Sequence, residues 1–331
     1  MLIAGGGAAG LMAALQAGRA GARVILADEQ NEFGGWLLGE SDVSIDGRAP
    51  ADWVAGVVAE LAAMPEVTLL ARTTVFGYMD HNYLTLTERV TDHMADAPAH
   101  LPRQRLWKVR AAHTVLAQGA HERPLVFSGN DLPGVMLAGA VRTYINRYGV
   151  VPGNRTVVFT NNDDAYRTAL ALHGAGAHVV VVDLRRDLRG ELIKAVRDAG
   201  INVMSGHAVS IAAGTQRIAR VEIAPVNEDG SALLDDPIHM DCDLLAMSGG
   251  LSPAVHLHSQ ARGKLGWDER LLCFKPTTTH EASVNAGAGN GVFDIEKAVA
   301  EGMKAGTVAA KAAGFETDTG EPPAVTAPKM S

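Results

Sequence analysis

The first residues with the types and spacing for chemistry form a glycine-rich turn near the start of the chain. The segment Gly5-Gly6-Gly7-Ala8-Ala9-Gly10 fits the pattern G-x-G-x-x-G and follows a short apolar stretch, Leu2–Ala4. In such a turn the first glycine permits the bend, the second leaves room for a pyrophosphate, and the third allows close packing of helix and strand. Gly5, Gly7, Ala8, Ala9 and Gly10 are therefore candidate dinucleotide-binding residues.

A carboxylate follows at the distance expected for a residue that binds an adenosine ribose. The apolar run Ala22–Ala27 predicts a buried strand, and Asp28 comes directly after it, separated from Gly10 by seventeen residues. Asp28 and the adjacent Glu29 join the candidate set. Residues 28–32 contain no Lys or Arg, which disfavours the 2′-phosphate of NADP and leaves NAD and FAD both open. Gly119, which follows a later apolar run, is the last candidate.

Three histidine-containing segments allow a functional and a structural interpretation. Asp80-His81 has the residue types of an acid–base pair, but a turn is favoured, because adjacent strand residues point to opposite faces. His256 and His258 would share one strand face, but no third ligand has matching spacing, so we predict no metal site. The segment His121-Glu122-Arg123-Pro124 suits a cofactor-lining loop and a polar surface loop equally. The sequence assigns no catalytic residue.

Composition excludes several classes of protein. The chain has 331 residues and a mass of 34.7 kDa, which predicts two domains. Its formal charge of −8 argues against nucleic-acid binding, and no apolar run approaches the ~20 residues that span a bilayer. The two cysteines, Cys242 and Cys273, are too few for a disulfide framework and are predicted to be buried, which favours a cytoplasmic location.

The elements around the turn predict an α/β protein with two Rossmann-like, three-layer domains, one inserted in the other. A second β-α-β unit begins near residue 155, and each unit is followed by an antiparallel segment. We expect an outer dinucleotide-binding domain over residues 1–150 and 241–315, an inserted domain over 151–240, and a linker or disordered tail over 316–331. The second unit has a degenerate phosphate loop, because Asn161–Asp164 stands where glycines belong.

Several long segments resemble the alpha subunit of the heterotetrameric sarcosine oxidase family, within the wider group of flavoproteins that includes thioredoxin reductase. The resemblance covers nearly the whole chain up to Phe315. The segments are Val75–Leu84 (VFGYMDHNYL), His121–Phe127 (HERPLVF), Phe159–Ala169 (FTNNDDAYRTA), Ser248–Leu257 (SGGLSPAVHL) and Ala286–Phe293 (AGAGNGVF).

The resemblance implies a pyridine nucleotide-disulfide reductase-like fold and a place in an oxidase complex that demethylates sarcosine to glycine with formation of hydrogen peroxide, linked to folate. It implies NAD on this chain, FMN at the interface with a beta subunit, and FAD on that beta subunit, with smaller subunits completing a heterotetramer. The chain looks like part of an alpha subunit: the folate-binding domain is absent from it, and we expect the isolated chain to be inactive.

Three alternatives remain open. One is the FAD-binding alpha subunit of an opine-oxidase or hydrogen-cyanide-synthase complex. FAD proteins of the wider group carry Gly-Asp after the last strand, whereas this chain has Ala286-Gly287-Ala288 there, which counts against FAD. Another is a self-sufficient FAD/NADH oxidoreductase, which needs a second glycine-rich phosphate loop. The third is a scaffold that uses the nucleotide for stability alone.

Overall fold

The computed structural model describes residues 1–328, and Lys329, Met330 and Ser331 lie outside the described residues. The chain forms two compact units. The first contains Met1–Leu37, Val43–His121 and Ser252–Ala327, and the second contains Leu38–Asp42 and Glu122–Leu251. Within residues 1–328 no helix combines the length and apolar character needed to cross a bilayer.

A five-stranded parallel sheet forms the centre of the first unit. Its strands are β1 (Leu2–Ala4), β2 (Val24–Ala27), β4 (Val67–Leu70), β8 (Thr114–Leu116) and β21 (Ser283–Asn285), and its main helices are α1 (Ala8–Arg19), α2 (Pro50–Ala62) and α7 (Ile295–Ala312). The strand order is β21-β8-β1-β2-β4. The three central strands, β8, β1 and β2, are short and almost fully buried, as expected for strands covered on both faces.

Two glycines in α7 bring that helix close to the backbone of α1. A Cβ at Gly302 would lie 2.2 Å from the carbonyl oxygen of Ala9, and one at Gly306 would lie 2.5 Å from that of Ala13. These two positions therefore exclude any side chain. The contact fixes the first turn of α1, which carries the glycine-rich motif.

Antiparallel elements complete the first unit. The antiparallel segment expected after the first β-α-β unit is a three-stranded antiparallel sheet. The remaining elements are β3 (Ser44–Ile45), β5 (Thr73–Met79), β6 (Tyr83–Arg89), β7 (Gln104–Arg110), β19 (Lys264–Asp268), β20 (Cys273–Thr278), β22 (Val325–Thr326) and α6 (His256–Gln260). Two short strands, β9 (Ala120–Glu122) and β18 (Leu251–Pro253), lie where the chain passes from one unit to the other.

The second unit repeats the architecture with its own five-stranded parallel sheet. Its strands are β10 (Val135–Leu137), β11 (Arg155–Thr160), β12 (His178–Asp183), β13 (Asn202–Ser205) and β17 (Leu244–Ser248), its helices are α3 (Ala138–Tyr148), α4 (Asp164–Gly174) and α5 (Glu191–Asp198), and an antiparallel sheet comprises β14 (His207–Gly214), β15 (Ile218–Pro225) and β16 (Ile238–Asp241). The order of the parallel strands is β10-β17-β11-β12-β13.

The observed units differ from the expected ranges of 1–150 with 241–315 and 151–240. Residues 122–150 and 241–251 belong to the second unit, because β10 and β17 pair in its sheet. A buried parallel strand is a short apolar run in either sheet, so the pattern alone does not say which sheet takes it.

The segment 316–331, expected as linker or disorder, is packed over part of its described length. Strand β22 pairs antiparallel with β3. The Gln16 amide donates to the Thr317 hydroxyl at 3.1 Å and to the Asp318 carbonyl at 2.7 Å. These contacts hold residues 317–326 against the first unit, although the composition of the segment is that of a linker.

Candidate dinucleotide site

Two glycines of the motif are required by the packing of the protein itself. Gly5 has φ +101°, and a Cβ there would lie 2.2 Å from the carbonyl oxygen of Ala117. A Cβ at Gly10 would lie 1.8 Å from the carbonyl oxygen of Gly5. Glycine is therefore needed at both positions, first for the turn and then for the close approach of α1 to it.

Gly7 has a different environment. A Cβ built at Gly7 meets no atom of the described chain within 4 Å, so the space beside it is open. Gly7 is the residue before α1, and it provides no side chain to cap the helix. The first N–H groups of a helix lack partners inside the helix and carry partial positive charge. An open space at this point suits the phosphates of a dinucleotide.

The carboxylate of Asp28 is held beside the turn. Its Oδ2 accepts the N–H of Gly6 at 2.6 Å, and its Oδ1 accepts the N–H of Gln30 at 2.8 Å. Each carboxylate oxygen can accept a further hydrogen bond. Asp28 thus braces the glycine turn and retains capacity for a ribose hydroxyl, whereas the side chain of Glu29 is exposed one residue further on.

A second loop, which sequence reasoning missed, packs against the glycine turn. A Cβ at Gly6 would lie 2.4 Å from the buried ring of Phe33. The N–H of Gly34 donates to the carbonyl of Gly6 at 2.8 Å, and a Cβ at Gly35 would lie 3.2 Å from the Cα of Gly7. The sequence signal for this loop was the pair Gly34-Gly35 directly after Phe33. Both glycines have positive φ in the structure.

The far side of the site is formed by Gly119 and a short 3-10 turn, Gly287–Asn290. Gly119 has φ +76°, and no described atom lies within 4 Å of a Cβ built on it. A Cβ at Gly287 would lie 2.8 Å from the Cβ of Ala9. The carboxylate of Glu301 accepts the Gly287 N–H and the Asn290 amide, both at 2.7 Å. Glu301, distant in sequence, therefore positions this turn against α1.

This turn contains Gly287-Ala288, the segment where the sequence comparison leads us to expect Gly-Asp in an FAD protein. Residue 288 is alanine, so the turn contributes no carboxylate. The nearby carboxylate of Glu301 already accepts two protein hydrogen bonds. A flavin ribityl chain would therefore lack the charged partner that this motif supplies.

The corresponding crevice of the second unit is filled by protein. Ligands of open parallel sheets bind at the carboxyl ends of strands where the strand order reverses, here between β11 and β17. At that point the Asn162 amide donates to the Ser248 carbonyl at 3.1 Å and to its hydroxyl at 3.0 Å. These bonds bridge the two strand ends.

An ion pair occupies the ribose end of the second crevice. Asp183, the last residue of β12, is fully buried and corresponds to Asp28, which follows β2 in the first unit. Its carboxylate accepts the Tyr166 hydroxyl at 2.9 Å and the Arg185 guanidinium at 2.8 Å. Arg185 also donates to Asp163 at 2.7 Å, in the degenerate loop. Burial and the charge of Asp183 raise the pKa of Tyr166, so the phenol stays protonated.

The second unit also holds a buried charge cluster beside a cavity of about 440 Å³. Arg142 donates to Glu40 and Asp164, and Arg167 donates to Glu40, Asp42 and Asp164. Burial raises the pKa of Glu40, whereas Arg167 lowers that of Asp42 against the opposing effect of burial. Because carboxylates of the protein already bind both guanidinium groups, the cluster is structural.

The other segments with histidine take structural positions. Asp80-His81 lies in a turn, as predicted, with His81 at φ +60°. His256 and His258 lie on helix α6, so the expected shared strand face is wrong. His258 is buried and contacts the Lys264 carbonyl and the Asn285 amide, both at 3.1 Å. Within residues 1–328 there is no cluster of three metal-binding side chains.

Glu122 caps a helix, and the two cysteines are buried. Glu122 Oε2 accepts the Gly139 N–H at 2.8 Å and so caps α3 from outside the helix, and burial raises the pKa of this carboxyl. His121 is exposed and lies 6.2 Å from His256, measured between ring centroids. Cys242 and Cys273 are buried, as predicted, and burial raises the pKa of the Cys242 thiol to about 11.

Several known proteins are similar to this chain in sequence. The alpha subunit of sarcosine oxidase from Corynebacterium sp. (strain P-1) is 44% identical over 332 residues, which cover 99% of this chain and 34% of that protein. An opine oxidase subunit from Agrobacterium tumefaciens (strain Ach5) is 24% identical, over 93% of this chain and 65% of that protein. The chain thus spans about a third of the length of the sarcosine oxidase subunits that it matches.

Solved structures show the same architecture. Thioredoxin reductase from T. acidophilum superposes with a TM-score of 0.70 at 15% identity, covering 94% of this chain and 97% of that chain. The model of the family described as pyridine nucleotide-disulphide oxidoreductase matches residues 1–284, which include the second parallel sheet and all of the first except Asn285. The chain belongs to the pyridine nucleotide-disulphide oxidoreductase family.

Proposed function

We propose that this chain is the NAD-binding portion of the alpha subunit of a multi-subunit, flavin-dependent sarcosine oxidase. The observation that carries the proposal is the open space at Gly7, in front of an uncapped α1 and beside the fixed carboxylate of Asp28. The 44% identity to the alpha subunit of a sarcosine oxidase, over nearly the whole chain, supports the assignment to that complex.

In this proposal the residues of the first unit bind and orient one NAD molecule. The turn at Gly5, Gly7 and Gly10, with the N–H groups of Ala8 and Ala9, receives the pyrophosphate, and Asp28 binds the ribose, with Glu29 beside it. Gly119 lies on the opposite wall of the crevice. Bound NAD has the chemistry of a hydride carrier, but we propose a structural use, because the second crevice offers no site for an exchanging nucleotide.

The oxidase chemistry lies with the partners in this proposal. FAD on a beta subunit would oxidise sarcosine to release glycine, and FMN at the interface with that partner would pass electrons to oxygen, forming hydrogen peroxide. Smaller subunits would complete the heterotetramer, and a folate-binding domain would link the reaction to folate. The cytoplasmic location expected from the cysteines stays a prediction.

The alternative is an FAD-binding alpha subunit of the opine-oxidase or hydrogen-cyanide-synthase type. The similarity to the opine oxidase subunit favours it, at lower identity. Ala288 and the engaged Glu301 argue against it. A self-sufficient FAD/NADH oxidoreductase is disfavoured further, because Asn162 and Arg185 fill the second crevice.

The test is the nucleotide content and the nucleotide response of the purified chain. We expect a colourless protein without the flavin absorbance near ~450 nm, and stabilisation of about 2.7 kcal/mol by NAD at ~100 times its dissociation constant, measured by thermal unfolding. FAD at the same concentration serves as the comparison ligand. A yellow protein with stoichiometric FAD would reverse the choice between NAD and FAD.

Catalysis is tested separately, in an oxygen electrode with FAD, FMN and sarcosine. The isolated chain is expected to consume no oxygen, because no site for an amine-oxidising flavin is evident in its described residues. Addition of a matching beta subunit is expected to increase oxygen consumption more than addition of free flavin does. Steady peroxide formation by the chain alone would contradict the assignment to a multi-subunit complex.

A further inference from the structure

An arginine from the antiparallel sheet reaches the loop that follows Asp28. Arg89, the last residue of β6, donates from Nη2 to the carbonyl of Glu29 at 2.6 Å. Its side chain is otherwise exposed. Residues 28–32 contain no Lys or Arg, but Arg89 adds a positive charge beside them. The charge at the adenosine end of the site therefore differs from that of residues 28–32 alone.

A second arginine lies opposite the first. The N–H of Arg89 donates to the carbonyl of Arg72 at 3.0 Å, and the N–H of Arg72 donates to the carbonyl of Gln30 at 2.7 Å. Like charges opposite one another across an antiparallel pair are destabilising. Arg72 also has φ +53°, a conformation that costs energy for a residue with a side chain. Two unfavourable features thus coincide beside Asp28.

The neighbouring acids Glu88 and Asp92 form no ion pair with Arg72 or Arg89, although Asp92 lies near enough to Arg89 for their charges to interact. Glu88 binds Arg105 at 2.7 Å, and Asp92 binds Arg103 and Gln104. Within residues 1–328, neither Arg72 nor Arg89 has a carboxylate within ion-pair distance. The two positive charges partly offset those of Asp28, Glu29 and Glu32, so the local formal charge is −1 rather than −3.

We propose that Arg72 and Arg89 form a phosphate-accepting pair at the adenosine end of the site, so that NADP, with its 2′-phosphate, binds as well as NAD. The inference rests on the proposed dinucleotide function and deepens it. It replaces the expectation that Asp28 and Glu29 repel a 2′-phosphate. Arginine suits this role, because its planar fork donates two parallel hydrogen bonds to phosphate oxygens.

The test compares the dissociation constants of NAD and NADP for the whole chain by calorimetry. For the unmodified protein we expect the two constants to agree within about 3-fold. In Arg89→Gln the ratio of the NADP constant to the NAD constant should rise about 10- to 100-fold, the loss of one charge-assisted bond to phosphate. Arg105→Gln, in the same sheet but paired with Glu88, is the control and should leave the ratio unchanged.

A second measurement uses the unmodified protein, so that it is independent of the folding of any variant. Raising the ionic strength should weaken NADP binding more than NAD binding, since the phosphate interaction is screened by salt. NADP binding at least about 10-fold weaker than NAD, with equal salt dependence, would overturn the phosphate pair and leave the NAD proposal intact. Failure of both dinucleotides to bind would overturn the proposed function and this inference together.

Discussion

The two β-α-β units of this chain have the same order of elements, but the first turn faces open space and the second is covered by side chains. In the first, Gly7 faces open space and Asp28 binds only backbone N–H groups with its two oxygens. In the second, Asn162 bridges two strand ends, and Arg185 links the buried Asp183 to the loop. A Rossmann-like framework therefore persists after its ligand site is closed, because side-chain hydrogen bonds replace those that a nucleotide would make.

The largest effect is expected from a side chain at Gly7. Gly7→Val should reduce NAD affinity by more than about 100-fold, because the branched side chain occupies the space assigned to the pyrophosphate. Calorimetry measures the loss. Gly174→Val is the matched control, since a Cβ there also meets no atom within 4 Å but lies in the second unit. Equal NAD affinity of the two variants would show that the nucleotide does not bind at the first turn.

The second turn is tested by removing the arginine that fills it. Arg185→Ala leaves the carboxylate of Asp183 buried with one charged partner fewer. We expect destabilisation of about 2–4 kcal/mol in urea unfolding, below the effect for a fully buried pair because the Arg185 side chain is one-third exposed.

The control for that change is Arg189→Ala, whose ion pair with Asp187 is exposed to solvent and should contribute little to stability. NAD affinity should be unchanged in both variants if the nucleotide binds only in the first unit. A large loss of NAD affinity in Arg185→Ala alone would contradict the contrast between the two turns.

Removal of the ribose-binding carboxylate should have an intermediate effect on affinity. Asp28→Ala should weaken NAD binding by about 1.5–3 kcal/mol, or roughly 10–150-fold, the range for a hydrogen bond to a charged group. Asp28→Asn, which keeps an acceptor for the Gly6 N–H, separates the bracing of the turn from the binding of the ribose. Unaltered calorimetric affinity in a folded Asp28→Ala protein would refute the ribose assignment.

The smallest effect concerns Glu122, which caps α3 in the second unit. Burial raises its pKa in the folded state, so the folded protein holds this proton more tightly than the unfolded chain does. Stability should therefore fall as pH rises from the unfolded pKa of about 4.3 through the raised folded value.

Glu122→Gln removes that titration and keeps an oxygen for the Gly139 N–H. It should be more stable than the unmodified protein at pH 8, with the difference vanishing near pH 4, in unfolding titrations at the two pH values. Glu122→Ala, which loses the cap, should be less stable at both. A stability difference independent of pH would show that the carboxyl does not titrate as burial predicts.

The amino-acid pattern was sufficient for the elements around the first turn and for the motif itself. Strand Leu2–Ala4, the helix after Gly7 and the acid at Asp28 are all local features, in which the spacing of apolar residues and glycines specifies the backbone. For the same reason the loss of glycine at Asn161–Asp164 indicated a degenerate second site. Such features depend on residues within one β-α-β unit.

The tertiary structure decided what distant segments bring to each site. The pairing of β10 and β17 set the unit boundaries, because an apolar strand of three to five residues does not specify its neighbour. Glu301 and Arg89 reach the first site from a helix and a hairpin far away in the chain. Likewise, Arg185 fills the second site only because the fold places Asp163 and Asp183 on either side of its guanidinium. Side-chain reach across elements leaves no periodic signal in the sequence, whereas backbone turns and strands do.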